Sequence, residues 1–181
     1  MDERLVFEFI ADEFKKAGIP FMLIGGFALK KYGSERFTSD IDLLIDKNQY
    51  AAAKIVLENG EYEEKVIGRV FARFSENRGE SIGIDILFVE KPIFERLFQE
   101  GQRMEWADRQ FTVPSPVHLI ALKLHALKNG GVHRETKDLL DVVQVIRFNR
   151  LDIDTQAFRK LCLDYGPVGI FDKIKVLCRP A

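Results

Sequence analysis

The stretch Leu23 to Ile45, LIGGFALKKYGSERFTSDIDLLI, decides how this chain folds. Phe21 to Ile24 is a short apolar run that reads as a buried strand, and Gly25-Gly26 turns the chain into a helix starting near Phe27. Gly33 to Arg36 reads as loop. Asp40 to Asp46 alternates at first and then becomes wholly apolar, the texture of a strand entering a core. Side chains two apart on a strand share a face, so Asp40 and Asp42 project together with Ile41 behind them. Adjacent carboxylates repel and are commonly held by a cation between them. A solvent-facing strand end is the plainer alternative for the pair taken alone.

A third carboxylate stands out further on. Asp85 is the sole charged residue between Glu80 and Glu90, inside the apolar run Ile84-Asp85-Ile86-Leu87-Phe88. A carboxylate so placed must meet solvent, a partner or a metal. The Gly25-Gly26 pair lets backbone come close to a ligand, and free N–H groups at a helix start favour phosphate. Neither a P-loop nor a Gly-x-Gly-x-x-Gly fingerprint occurs, which removes P-loop ATPases and Rossmann dehydrogenases from consideration.

Outward from this centre, residues 3–17 form an amphipathic helix with Leu5, Val6, Phe9, Ile10 and Phe14 on one face. Asn48 is placed to cap a helix over 49–59. Val66 to Phe74 and Ser81 to Val89 read as two strands separated by a turn at 76–79, Pro92 opens a short helix, and 103–113 reads as a hairpin or edge strand. Ser115-Pro116 starts a helix over 116–129, followed by helices over 135–148, from about Asp154 and from about Pro167. The fold class is α+β: a small mixed sheet with helices packed on it over 1–114, and a helical C-terminal part over 115–181.

Taken together, Ile24-Gly25-Gly26, Asp40-Ile41-Asp42 and Ile84-Asp85-Ile86 resemble the DNA polymerase β-type nucleotidyltransferase superfamily. Its mark is a hydrophobic residue with Gly-Gly or Gly-Ser, then Asp-x-Asp, then an acidic residue on a later strand. The run Arg36 to Ile45 looks closest to the small prokaryotic branch of minimal nucleotidyltransferases and AbiEii-type toxins. The resemblance implies a metal-dependent enzyme that moves a nucleoside monophosphate from a triphosphate to an acceptor hydroxyl and releases pyrophosphate. It implies Mg²⁺, with Mn²⁺ as substitute, on Asp40, Asp42 and Asp85, and phosphates cradled by Gly25 and Gly26. Arg36 and Thr38 would border the pocket. Lys123, beside an expected buried stripe of Leu119, Leu122, Ala126 and Leu127, together with Lys137 and Asp138 within Arg134-Glu135-Thr136-Lys137-Asp138, would match the branch's helical motifs. The acceptor would be an RNA such as a tRNA, a protein or a small molecule, and a cognate antitoxin would be a partner. A catalytically silent nucleotide- or partner-binding module on the same fold is the alternative.

Composition agrees with a globular chain. At 46% hydrophobic over 181 residues it can bury a core without disulfides or structural zinc. With 27 basic and 28 acidic residues it is no polycation, so nucleic acid could be met only at a local basic groove. Cys162 and Cys178 lack any framework spacing, the acidic start Met1-Asp2-Glu3 is unlike a secretory signal, and no apolar run is long enough for a membrane span. The expectation is a cytoplasmic protein without membrane attachment.

Overall fold

A computed structural model describes residues 3–76, 82–130 and 132–179 of the chain. It divides into two compact units, Met1–Ala28 with Arg36–Ser115 and Leu29–Glu35 with Pro116–Ala181. Leu29–Glu35 thus clusters with the C-terminal helices and not with the strands that flank it in sequence.

In the first unit, β1 (Phe21–Ile24), β2 (Asp40–Asp46), β3 (Tyr62–Ile67), β4 (Phe71–Glu76) and β5 (Gly83–Val89) form one sheet in the order β1-β2-β5-β4-β3. β2 and β5 run parallel, and the other neighbours are antiparallel. The fold class is the mixed α+β that the sequence implies. One sheet face is core: Ile41, Leu43 and Ile45 pair with Ile84, Ile86 and Phe88, and all six are buried. Helices α1 (Glu3–Lys16), α2 (Gly25–Lys30), α3 (Tyr50–Asn59) and α4 (Lys91–Gln99) punctuate the strands, and β6 (Gln102–Trp106) with β7 (Arg109–Val113) makes a separate hairpin.

Aromatic side chains lock α1 to this hairpin. Phe7 meets Phe27 edge-on at 4.7 Å, Phe111 at 5.5 Å and Trp106 at 6.2 Å between ring centroids. Burying each such ring is worth roughly 1.5–3 kcal/mol, which accounts for the chain's high phenylalanine content. On α1 the buried stripe is Val6, Phe7, Ile10 and Phe14, and Leu5 points outward instead of Phe7. Periodicity alone could not choose between neighbours one position apart.

Two further expectations are corrected. Val66 to Phe74 is not one strand: β3 ends at Ile67, the Gly68 N–H donates to the Phe71 carbonyl at 2.7 Å, and β4 leads back. Apolar residues on both sides of the turn disguise it as a continuous run. Asn48 is not a cap. Asp46 caps the single 3₁₀ turn Lys47–Gln49, its carboxylate accepting from the Asn48 N–H at 3.0 Å and from Asn48 Nδ2 at 3.1 Å. The last acidic residue of Asp-Ile-Asp-Leu-Leu-Ile-Asp therefore has a structural task. The turn expected at 76–79, with Arg78, lies beyond the described residues after Glu76.

The second unit packs α5 (Pro116–Asn129), α6 (Val132–Asn149), α7 (Gln156–Tyr165) and α8 (Ile170–Cys178). Thr155 Oγ1 caps α7 by accepting from the Phe158 N–H at 3.1 Å. Leu29–Glu35 is tied to α6, where Gln144 Nε2 donates to the Gly33 carbonyl at 2.6 Å. Cys162 and Cys178 are free thiols. Among the described residues no helix is long and apolar enough to cross a membrane.

Candidate active site

The sheet's second face carries the charge. Asp42 on β2 stands directly opposite Asp85 on β5, and Asp40 stands opposite Gly83. Directly opposed residues on paired strands share a face, and Asp40 and Asp42 share one by period. All three aspartates are half-buried while Ile41 and Ile84 between them are fully buried. The parallel pairing of β2 with β5 thus gathers on one surface the three carboxylates singled out in the sequence.

Gly25 lies against this surface, and Gly26 against the loop that leads into β2. A Cβ at Gly25 would stand 1.9 Å from Asp42 Oδ2, and one at Gly26 would stand 2.4 Å from Thr38 Oγ1. Gly25 also has φ +61°, a conformation that side chains disfavour. Because α2 is only Gly25–Lys30, its dipole contributes little; the glycines matter because backbone can approach the carboxylates closely. Gly25→Ala should therefore cost clearly more stability than Gly18→Ala, which shares the positive φ (+68°) but has nothing within 4 Å of its Cβ position. The control carries only the backbone cost of about 1–2 kcal/mol. Urea unfolding of the two variants reads the difference, and equal losses would deny the close contact.

The loop before β2 shapes the rim. Thr38 Oγ1 donates to the Asp40 carbonyl at 3.4 Å, and Ser39 Oγ donates to Asp40 Oδ2 at 3.2 Å. Arg36 turns along its own loop, its Nη1 donating to the Phe37 carbonyl at 3.3 Å.

Arg73 on β4 stands opposite Asp85 and holds it with both ends of its guanidinium, Nε to Oδ1 at 2.7 Å and Nη2 to Oδ2 at 2.6 Å. The hydrogen bonds and charge of Asp85, with the fields of Asp40 and Asp42, hold the guanidinium still more firmly protonated than usual. Nothing in the sequence marks the partner of Arg73, which becomes visible only once the β4–β5 register is known. Three carboxylates and one guanidinium leave this face with a net negative charge.

The donor chemistry of Asp40 and Asp42 suits an oxygen-seeking divalent cation, and the missing Cβ at Gly25 leaves room beside them. Among the described residues no group of three or more His, Cys, Asp or Glu side chains is gathered closely enough to hold one ion. Asp85, the third carboxylate of the face, is instead taken up by Arg73.

Lys123, Lys137 and Asp138 belong to the second unit. The buried stripe of α5 is Leu119, Ile120, Leu124 and Leu127, rotated from the expected Leu119, Leu122, Ala126 and Leu127. That rotation carries Lys123 inward. Its ammonium meets Asp138 Oδ1 at 2.7 Å and Asp141 Oδ2 at 2.8 Å, with all three side chains at most 12% exposed. Asp141, four residues after Lys137 on α6, is thus a buried partner of Lys123. Lys137 is exposed, and the Arg134 and Glu135 side chains lie outside the described residues.

Solved structures of nucleotidyltransferases share this fold. The antibiotic-resistance factor ANT(2'')-Ia aligns with a TM-score of 0.67 and 15% identity over 91% of this chain and 92% of that one. The lincosamide antibiotic adenylyltransferase LnuA, solved with lincomycin, aligns at 0.58 and 16% over 82% and 98%. An antigenic nucleotidyltransferase-like protein from Paracoccidioides brasiliensis aligns at 0.59 and 14% over 97% and 91%. No curated protein sequence matches the chain. A family model described as uncharacterised nucleotidyltransferase matches residues 6–177, and the chain belongs to that family.

Proposed function

We propose that this chain transfers a nucleoside monophosphate from a nucleoside triphosphate to a hydroxyl of a small-molecule acceptor. The observation that carries this reading is the meeting of Asp40, Asp42 and Asp85 on one sheet face beside Gly25. The acceptor oxygen bonds to the α-phosphorus, the α–β anhydride bond breaks, and pyrophosphate leaves with its electron pair. Asp40 and Asp42 would hold Mg²⁺, or Mn²⁺, which would draw negative charge from the phosphates and lower the cost of the leaving group. Asp85 would complete the shell of the ion and accept the proton of the attacking hydroxyl. Gly25 and Gly26 admit the phosphates to the carboxylate face, and Thr38 and Arg36 border them.

A small-molecule acceptor is supported by the near end-to-end likeness of fold to ANT(2'')-Ia and LnuA. A balanced charge of -1 makes no demand for a polyanionic acceptor. The resemblance of Arg36 to Ile45 to the AbiEii-type toxins supports a second reading, transfer to a tRNA or protein within a toxin–antitoxin pair. The presence of all three carboxylates speaks against a silent binding module, and the free Cys162 and Cys178 suit the reducing cytoplasm.

Incubation with each α-labelled triphosphate, Mg²⁺ and a fractionated cell extract tests the reading. Label is expected in a low-molecular-weight fraction, with pyrophosphate formed in step. Label in RNA or protein favours the second reading. Binding of triphosphate without any transfer overturns both in favour of the silent module.

A further inference from the structure

We propose that Arg73 is a latch on Asp85, an internal cation that occupies the third carboxylate until a divalent cation displaces it. The inference rests on the nucleotidyl-transfer reading for its purpose, but its observation is independent. A guanidinium and a carboxylate meet in the two-pronged geometry that gives the strongest such pairs, at 2.7 and 2.6 Å.

Three features make the pair an exchangeable contact and not a fixed strut. The Arg73 side chain is 48% exposed, so it can swing to solvent, whereas Asp85 is only 20% exposed and is held to its strand position. Arg73 and Asp85 are also directly opposed on β4 and β5, so release needs side-chain rotation alone and no movement of the sheet. Finally, Asp42, opposed to Asp85 on the other side, is too near for the two carboxylates to lie easily unneutralised. Arg73 offsets that repulsion when no external cation is present, and a dication at the same face offsets it more fully. Arginine and the incoming ion therefore compete for one carboxylate. Arg73 touches no reacting atom in this account; it is a positioning residue that sets how much cation is needed before Asp85 becomes available.

Direct Mn²⁺ binding, followed by electron paramagnetic resonance of the free aquo ion, tests the latch in the full chain without turnover. Arg73→Gln should bind Mn²⁺ about ten-fold more tightly than wild type, since a cation close to the bound ion has been removed. Arg73→Lys, which keeps the charge but loses the two-pronged grip, should fall between. In an Asp85→Asn background the same Arg73→Gln change should gain only about two-fold, the residue of general charge repulsion. Unchanged or weaker Mn²⁺ binding in Arg73→Gln overturns the latch. An equal gain in the Asp85→Asn background also overturns it, because Arg73 would then act as a distant charge. Nucleotidyl transfer assayed on the same preparations separates the two ideas. Transfer with unchanged Mn²⁺ affinity leaves the enzyme and removes the latch, while tighter Mn²⁺ binding without transfer leaves the latch and removes the enzyme.

Discussion

Asp42→Asn is expected to lower nucleotidyl transfer about a thousand-fold, close to 4 kcal/mol of transition-state stabilisation, with the fold unchanged. Asp42 sits at the centre of the face, opposite Ile24 on β1 and Asp85 on β5, with Gly25 pressed against its carboxylate. Asparagine keeps the shape in this tight place and removes only the charge. The substitution also relieves repulsion with Asp40 and Asp85, and a thermal unfolding curve of the purified variant checks that the fold is kept. Turnover at the wild-type rate in purified Asp42→Asn would take the chemistry away from this face.

Lys123→Met should destabilise the helical unit by about 3–5 kcal/mol. The substitution removes the cation shared by Asp138 and Asp141, whose side chains are 7% and 3% exposed. The cost arises chiefly from the carboxylates left without their cation, so Lys123→Met with Asp138→Asn and Asp141→Asn together should recover much of it. Urea unfolding reads both variants. A lysine whose task is to hold triphosphate would behave otherwise: its loss would raise KM for the nucleotide and leave the unfolding midpoint in place. The two outcomes are separable on one preparation, and the buried ion pairs favour the first.

The carboxylate face was legible where it is written in residue type and strand period. Asp40 and Asp42 share a face by counting alone, and Asp85 betrays itself as a charge in an apolar run. Gly25 needs its positive φ, and the pair Gly25-Gly26 advertises a turn. What could not be read was anything that depends on register between segments distant in sequence. Arg73 looks like any outward arginine until β4 is laid against β5. Lys123 looks like a surface lysine because a small rotation of the buried stripe, from Leu122 and Ala126 to Ile120 and Leu124, decides whether it faces in or out. Leu5 and Phe7 on α1 exchange places for the same reason. The hidden turn at Gly68 shows the complementary failure, since apolar residues on both sides of it kept the period going where the chain reverses.

The order β1-β2-β5-β4-β3 has a consequence in time as well as in space. β3 meets β4 across a tight turn, so that pair is local, whereas β1 reaches β2 only through α2 and residues 31–39. β2 and β5 are separated by the whole of α3, β3 and β4, and their parallel pairing is the most distant contact in the sheet. Asp42 and Asp85 come together in that step and in no other. Until β5 is in place the chain has its glycine turn and its Asp-x-Asp strand without Asp85 beside them. The three-carboxylate face is complete only once β5 lies between β2 and β4.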